Sequence, residues 1–450
     1  MVVFITAATI NTGLAIGTTA IKGAVISVGG KVLSTVSGGY NYFGEQNTKL
    51  LDPNEFLEVC FSVIKKLTDA LEKTDRVLGV CSCCASGNLI LLDKNSQPII
   101  PIIGWQTTVD QEDIDAFLTQ EEQDGFYNIV GWPLRLRFPA AYLMALKKHF
   151  PEKLNNAATV AMSAEYLNFA LTGKWGISHS MGTPFFLIDQ EKGVYNKPLL
   201  EKLGISEEKL PPIYSKGTVL GNVKNEIAEN LGLSGDTKVV LGSFDHPSGA
   251  MGAGVFEEGE MLLSCGTSWV EFFPVSSREF AISTKGLVDR FMLDGSPYCV
   301  MKSITSVSEK IDALRHHYLG DISHKEYDDL AKLAPLGSNG LRFGFTDDDY
   351  NIGGKYSKSD IARAIIEGAA LILKENLEEL EKCGLRAEKI TMIGGISNSA
   401  VCVKIVSEIL GAPVEVANGQ AAGAIGSAML AGIGVKVYSN EKDAYSKIHS

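Results

Sequence analysis

The chain has 450 residues, of which 45% are hydrophobic and 21% are charged, a composition typical of a folded protein with more than one core. Lysine and arginine total 41 against 53 aspartate and glutamate, so the formal net charge is -12. A chain this acidic, with no basic block, is a poor ligand for nucleic acid or an anionic membrane surface. Small molecules are the expected partners.

The first residues, MVVFITAATINTG, lack a basic region and a convincing cleavage site, and nowhere do eighteen apolar residues run together. Eight cysteines without secretory features indicate reduced thiols. We therefore expect a cytoplasmic protein. The cluster Cys81, Cys83 and Cys84 has no second ligand pair at zinc-site spacing, which favours core thiols over a metal site.

The chain opens with three short apolar stretches, separated by a Gly-Thr-Thr turn and by Gly29-Gly30, a pattern typical of antiparallel hairpins. A helix follows, for which we predict Asp52 as N-cap, Pro53 as first residue and Glu55 as the partner in a capping box. The strand RVLGVCSC comes next. Three hairpin strands, a helix and a strand indicate an α/β layer, unlike the alternating start of a Rossmann domain.

Between about 120 and 235 the chain predicts helices and loops, including an amphipathic helix FPAAYLMALKKHFPEKL that closes near Pro151. Near 237 a second α/β layer begins. It holds the strand TKVVLGSF, the hairpin MLLSCGTSWVEFF, a helix capped at Ser357 and ending by Gly384, the strand KITMIGG, and two closing helices. Because both halves begin with the same kind of hairpin, we expect two related domains, 1–236 and 237–450, facing each other across a cleft.

The two glycine hairpins suit phosphate, because glycine admits close backbone approach while neighbouring N–H and hydroxyl groups donate hydrogen bonds. A single such turn is most often an ordinary turn, but two at matching places are more specific. The candidate phosphate-binding residues are Gly17, Thr18, Thr19 and Lys22 in the first half and Gly266, Thr267 and Ser268 in the second.

Asp245 follows the apolar run VVLGSF, at the strand end where open α/β sheets present functional groups. Taken alone it would be a helix N-cap, but its position before the Gly-Thr-Ser hairpin favours a functional role. Gly394 and Gly395 suit either the close approach of a nucleotide or a tight strand-to-helix turn. No GxGxxG fingerprint joins a strand to a helix here, so a dinucleotide enzyme is disfavoured.

The segments GLAIGTTAIK, GSFDHPSGAMGAGV, LLSCGTS and MIGGISNS, in this order, resemble the FGGY carbohydrate kinases of the actin-like ATPase superfamily. The resemblance covers nearly the whole chain. It implies an α/β fold of two ribonuclease-H-like domains that close over ATP and a sugar, with Mg2+ as cofactor and Asp245 as general base. It is compatible with a homodimer.

The resemblance also assigns roles to the other candidates. It implies that both hairpins hold phosphates. Gly394, Gly395 and Asn398 border the adenosine, and Trp105 lies beside the sugar, although a core aromatic is the alternative for this tryptophan. The implied sugar-side residues are Ser86, Gly87, Asn88, Trp105 and Asp245.

The chain departs from the family pattern at several places. Ala15 stands where the family usually has a metal-side aspartate, and the residues after Trp105 and before LILLD differ from the family's polar motifs, as does LRFGFTDDD. Three interpretations stay open: a kinase whose magnesium is held mostly by ATP phosphates and water, a catalytically impaired relative acting as a sugar or nucleotide sensor, or an engineered or miscopied position. Since Asp245 and both hairpins are present, we predict a kinase acting on a small sugar, polyol or sugar acid. A dehydrogenase is a further hypothesis that ranks well below both the kinase and the sensor.

Overall fold

The computed structural model of the chain describes residues 9–18, 20–45, 47–85, 87–293, 295–417 and 421–449. The chain divides into two compact units. The first unit comprises Met1–Gly254, Leu287–Asp294 and Ala421–Ser450, and the second comprises Val255–Gly286 and Gly295–Gln420. The predicted domain boundary between residues 236 and 237 stays a prediction.

Both units contain strands and helices. They are β1 Thr9–Ile16, β2 Ala20–Ser27, β3 Val32–Gly39, β4 Leu50–Leu51, β5 Arg76–Cys84, β6 Ile90–Leu92, β7 Ile102–Ile103, β8 Thr159–Ala161, β9 Ile177–Ser178, β10 Ile188–Asp189, β11 Val194–Tyr195, β12 Ile213–Tyr214, β13 Val219–Asn222, β14 Lys238–Phe244, β15 Glu260–Cys265, β16 Trp269–Val275, β17 Leu287–Leu293, β18 Ser296–Ile304, β19 Lys389–Gly394 and β20 Val414–Val416.

The helices range from one turn to seven. They are α1 Pro53–Asp69, α2 Gln111–Asp115, α3 Gln120–Val130, α4 Pro139–His149, α5 Pro151–Asn156, α6 Ser163–Thr172, α7 His179–Phe185, α8 Lys197–Leu203, α9 Asn225–Leu231, α10 Asp245–Ala253, α11 Arg278–Ser283, α12 Val307–Leu319, α13 His324–Leu333, α14 Lys358–Lys382, α15 Ala400–Leu410, α16 Ala422–Gly434 and α17 Glu441–Ile448. Among the described residues, no helix is both long and apolar enough to cross a membrane.

The main sheet of the first unit has the strand order β13-β14-β5-β1-β2-β3. The strands β1, β2 and β3 form an antiparallel meander, whereas β5 runs parallel to β1 and β14 runs parallel to β5. The sheet is therefore mixed. The predicted opening meander and the strand that follows the first helix are confirmed.

The second unit repeats this arrangement with its own strands, in the order β18-β16-β15-β19-β20. The hairpin β15-β16 continues antiparallel into β18, while β19 runs parallel to β15 and β20 runs parallel to β19. Each unit thus places a glycine hairpin between its first two core strands and sets a parallel strand beside the first of them. The predicted α/β fold is confirmed, and the structure shows that both of its main sheets are mixed.

The start of helix α1 follows the predicted N-cap but not the predicted capping box. Asp52 is the N-cap and its carboxylate accepts from the N–H groups of Asn54 and Glu55, with Pro53 as the first helical residue. The predicted capping box is wrong, because the Glu55 carboxylate accepts instead from the N–H of Asn41 on the preceding loop. The Glu55 carboxylate, which a capping box would pair with the N–H of Asp52, is thus used in a tertiary contact.

The predicted end of the helix FPAAYLMALKKHFPEKL near Pro151 is confirmed. Helix α4 ends at His149, and Pro151 begins the separate helix α5 because its ring fixes a backbone angle that suits a first helical turn. The prediction of α14 is also confirmed. Ser357 caps it, and the Asp360 carboxylate accepts from the Ser357 N–H, which completes a capping box.

The small-residue helix α16 returns from the end of the chain to the sheet of the first unit, where it packs on β1, β5 and β14 and on α10. The contact is made by backbone. A Cβ on Gly13 of β1 would lie 1.9 Å from the Ala424 carbonyl oxygen, and a Cβ on Gly252 of α10 would lie 2.0 Å from that of Ala422. Glycines at these positions are required for the helix to lie directly on the sheet.

Candidate functional site

The first glycine hairpin joins β1 to β2. The N–H of Gly17 donates to the Ala20 carbonyl at 2.9 Å, and the Tyr40 hydroxyl donates to the Gly17 carbonyl. The indole N–H of Trp105 donates to the Thr18 hydroxyl at 3.1 Å. Trp105 is half-buried, so it is not a core aromatic. The structure therefore brings together two candidates that lie 87 positions apart, while Thr19 lies outside the described residues.

Ala15 lies on β1 just before this hairpin, with Lys22 opposite on β2 and Cys83 beside it on β5. Its methyl group points toward the first turn of α16, because a Cβ on Gly423 would lie 3.2 Å from the Ala15 Cβ. The Sγ of Cys83 donates to the Gly423 carbonyl at 3.5 Å. An acid at position 15 would thus lie near the positive end of a helix.

The buried thiols Cys81, Cys83 and Cys84 lie along β5. Burial raises the pKa of the Cys83 thiol to about 12, and the charge of Asp245 adds to the shift, whereas hydrogen bonds to Ser427 and Ser248 oppose it. These groups are core thiols that remain protonated. Asp245 is close enough to Cys83 for its charge to raise the pKa of that thiol.

Asp245 is the first residue of α10, directly after the end of β14. Phe244 is the N-cap and no side chain caps this helix, so the alternative role of Asp245 as an N-cap is not realised. The carboxylate accepts from the N–H of His246 at 2.9 Å and is 30% exposed. Partial burial raises the pKa of Asp245, while the neighbouring His246 opposes the shift.

A buried hydrogen-bond network holds the turn that carries Asp245. The N–H of Phe244 donates to the Ser180 hydroxyl at 3.2 Å, and this hydroxyl donates to Asp289 at 2.8 Å. The Thr183 hydroxyl donates to the other carboxylate oxygen of Asp289 at 2.6 Å. Burial raises the pKa of Asp289 to about 7. Sequence analysis missed this network, although an acid inside the apolar strand LVDRFML was a usable signal.

The remaining sugar-side candidates differ in their surroundings. Gly87 has a φ of +86°, and a Cβ there would lie 2.3 Å from the ring of Phe138, so only glycine fits. The buried amide of Asn88 is engaged by the fold, since its nitrogen donates to the Ser163 hydroxyl and its oxygen accepts from the Ser163 N–H. Ser86 lies outside the described residues.

An aromatic cluster surrounds Phe138 and extends to the turn before Asp245. The rings of Phe138 and Phe186 stack at 4.9 Å between centroids, and Trp132 contacts both edge-on. Trp132 also meets Phe244 at 5.7 Å. Sequence analysis missed these rings. They give the Asp245 turn a rigid apolar support.

The second hairpin joins β15 to β16 and is hydrogen-bonded to the start of α12 and to Ser306 just before it. The Ser308 hydroxyl donates to the Gly266 carbonyl at 2.6 Å and accepts from the indole N–H of Trp269 at 3.1 Å. The Ser308 N–H donates to the Thr267 carbonyl, and the Ser306 N–H donates to the Ser268 hydroxyl, both at 3.2 Å. These bonds hold the hairpin in one conformation, which a binding loop for phosphate requires.

The two glycines after β19 are constrained for different reasons. Gly394 has a φ of +105°, and a Cβ there would lie 2.1 Å from the Cys265 carbonyl of the adjacent strand, so packing alone requires glycine. A Cβ on Gly395 would meet nothing within 4 Å. The Ser397 hydroxyl donates to the Gly394 carbonyl at 2.7 Å, and Asn398 closes the short helical turn that follows. Gly395 thus leaves open space that a nucleotide could fill.

The donor set for magnesium is incomplete. Within the described ranges, no group of three or more histidine, cysteine, aspartate or glutamate residues is arranged to hold a metal ion. Ala15 contributes no ligand beside the first hairpin. The residues present therefore do not fit a magnesium site built from protein alone.

Comparison with known proteins identifies the family. Residues 10–252 match the N-terminal domain of the FGGY family of carbohydrate kinases, and residues 324–435 match its C-terminal domain. The xylulose kinase of Staphylococcus epidermidis is 26% identical over 444 residues, covering 94% of this chain and 87% of that protein.

Solved structures show the same fold. The ligand-bound xylulose kinase of Lactobacillus acidophilus superposes with a TM-score of 0.88 at 22% identity, covering 98% of this chain and 92% of that one. The ADP complex of Plasmodium falciparum glycerol kinase gives a TM-score of 0.84 at 17% identity, with the same coverage. The fold is the actin-like ATPase fold. The chain therefore belongs to the FGGY family and is an ATP-dependent carbohydrate kinase.

Proposed function

We propose that this kinase transfers the γ-phosphoryl group of ATP to a hydroxyl of a small sugar, polyol or sugar acid, with Asp245 as general base. The observation that carries the proposal is the placement of Asp245. Its carboxylate is partly exposed at the end of a core strand, and its turn is held through Ser180 and the buried Asp289. A catalytic base needs both solvent-side access and a fixed position.

In this mechanism Asp245 accepts the proton of the substrate hydroxyl as the hydroxyl oxygen attacks the γ-phosphorus of ATP. The bond between that phosphorus and the bridging oxygen then breaks, and ADP leaves. A raised pKa makes Asp245 a stronger base than an exposed aspartate. The protein must also position the substrate hydroxyl against the γ-phosphate and stabilise the charge on the phosphoryl group.

The other site residues take supporting roles in the proposal. Each glycine hairpin binds phosphate, with Lys22 adding charge to the first, and Gly395 with Asn398 borders the adenosine. Trp105, oriented by its bond to Thr18, lies along the sugar. Because the described residues form no group of three or more protein ligands for a metal, we propose that Mg2+ is held mostly by ATP phosphates and water, as this hard ion often is.

The test is an ADP-release assay with magnesium-ATP and a panel of ketoses, polyols and sugar acids, using Asp245→Asn and the matched control Asp236→Asn. Asp236 is exposed in the turn that precedes β14, at the other end of the same strand. We expect Asp245→Asn to lower kcat by about 10²–10⁴-fold with ATP binding retained. A wild-type rate in Asp245→Asn would show that another group takes the proton.

A second candidate, a catalytically impaired member of the family that binds sugar or nucleotide as a sensor, is favoured by Ala15 at the place of the usual metal-side aspartate. Thermal unfolding combined with the ADP-release assay separates the two functions, because a ligand at 100 times its Kd stabilises by about 2.7 kcal/mol whether or not it reacts. Stabilisation by ATP and by a sugar, with no ADP released from any substrate of the panel, would establish the binding role. A homodimer stays a prediction.

A further inference from the structure

Two arginines lie in the loop between α3 and α4, in the segment PLRLRFP. The residue between them, Leu136, accepts at its carbonyl a 2.8 Å hydrogen bond from the N–H of Val109. Val109 is four positions after Trp105, so this bond ties the arginine loop to the loop that carries the tryptophan. Arg135 and Arg137 are thereby placed on the sugar side of the first unit.

Arg137 lies over Trp105. Its Cζ is 6.0 Å from the centroid of the indole ring, and the N–H edge of the same ring donates to the hydroxyl of Thr18. The guanidinium, the indole and the glycine hairpin therefore form a continuous row. A ligand against Trp105 would have the phosphate hairpin at one end and a cation at the other.

Among the residues that the structure describes, no carboxylate lies within 4.0 Å of either guanidinium, and neither side chain donates a hydrogen bond. Other arginines of the chain are engaged: Arg363 bonds the carboxylates of Glu367 and Glu408, and Arg290 bonds two backbone carbonyls. The Arg135 side chain is exposed and that of Arg137 is half-buried. Partial desolvation and the charge of Arg137 lower the pKa of Arg135.

Two adjacent like charges repel each other, and an anionic ligand between them would relieve that repulsion. The planar guanidinium is also the side chain that best matches the two oxygens of a carboxylate. We propose that Arg135 and Arg137 bind the carboxylate of the acceptor, so that the substrate is a sugar acid, a polyhydroxy monocarboxylate with its reacting hydroxyl distal to the carboxylate. This assignment rests on the proposed kinase function.

The experiment compares substrates matched in chain length and differing in charge, namely gluconate with sorbitol and xylonate with xylitol. The variants are Arg137→Gln, Arg135→Gln and Arg137→Lys, with Arg76→Gln as the control because Arg76 is exposed at the start of β5. We expect the wild type to have a KM for the acid at least about tenfold below that for the polyol. A charged hydrogen bond is worth about 10- to 100-fold in affinity.

In Arg137→Gln and Arg135→Gln the KM for the acid should rise by about 10- to 100-fold, so that the ratio of the two KM values falls toward one. Arg137→Lys should restore only part of the preference, because lysine keeps the charge and loses the paired donors. Arg76→Gln should leave the ratio unchanged. A wild type that prefers the polyol, a sugar phosphate or an uncharged ketose would overturn the assignment.

The KM for ATP is measured in the same variants. If it rises while the KM for the acid does not, the arginines bind the nucleotide and the assignment is wrong. If the wild type turns over no substrate, binding of gluconate and of sorbitol is measured by calorimetry. Gluconate binding that Arg137→Gln abolishes would still support the carboxylate site while the kinase proposal fails, and equal binding of both compounds would refute it.

Discussion

Replacing Asp289 by asparagine tests the buried network beneath Asp245. The Asp289 carboxylate is fully buried and accepts from the Ser180 and Thr183 hydroxyls. Burial raises the pKa of Asp289 from 3.8 to about 7, a difference of about three pH units, or an upper limit of about 4 kcal/mol. Between those two pH values the folded protein holds a proton that the unfolded chain has lost, so the stability that this residue contributes falls as pH rises.

Asparagine carries no titrating proton, so this pH dependence disappears in Asp289→Asn. The free energy of unfolding of the variant minus that of the wild type should therefore increase by up to about 3 kcal/mol between pH 5 and pH 8. Burial also raises the pKa of Glu165 and of Glu271 to about 8, but both are present in the two proteins and cancel in the difference.

The measurement is urea unfolding followed by tryptophan fluorescence at pH 5, 6, 7 and 8, with Asp236→Asn as an exposed control. Each unfolding midpoint and slope gives a free energy for that pH. Parallel pH curves for Asp289→Asn and the wild type would refute the reasoning. They would mean that the hydroxyl hydrogen bonds keep Asp289 ionised despite its burial.

Two further predictions concern packing and the metal. Gly252→Ala should destabilise the protein by about 3 kcal/mol, because the added Cβ would lie 2.0 Å from the Ala422 carbonyl oxygen. Gly125→Ala on α3, where a Cβ meets open space, should stabilise it by about 0.5–1 kcal/mol. If urea unfolding shows both free energies shifting in the same direction, this reasoning is contradicted. Ala15→Asp should lower the Mg2+ concentration for half-maximal ADP release several-fold, because it adds a carboxylate beside the first hairpin, and an unaltered Mg2+ dependence would show that position 15 does not contact the ion.

Much of the fold was predictable where local rules and the hydrophobic pattern agree. The opening meander, the second hairpin, the cap at Ser357 and the strand before Asp245 all follow from turn residues and periodicity. The predicted capping box failed because a contact outside the helix intervened. The Glu55 carboxylate accepts from the N–H of Asn41 on the preceding loop instead of from the N-cap.

Parts of the candidate site could not be predicted from sequence patterns, because the residues that form each hydrogen bond are far apart in the chain. Ser180 and Asp289 are 109 positions apart, and Trp105 reaches Thr18 across 87 positions. No local spacing encodes such pairs. Sequence analysis did not single out Arg135 or Arg137. The N–H of Val109 donates to the Leu136 carbonyl between them, and Arg137 lies over the ring of Trp105.

The sequence by itself determined the family, the α/β class and the identity of the chemically active candidates, because glycine turns, buried strands and a strand-end acid are local features. Only the tertiary structure decided where α16 goes. Its glycines and alanines allow backbone contact, but which strand receives the helix depends on Gly13 of β1, more than 400 residues earlier. Which carboxyl groups have a pKa shifted by burial is likewise decided by the fold, since desolvation requires neighbours from many segments.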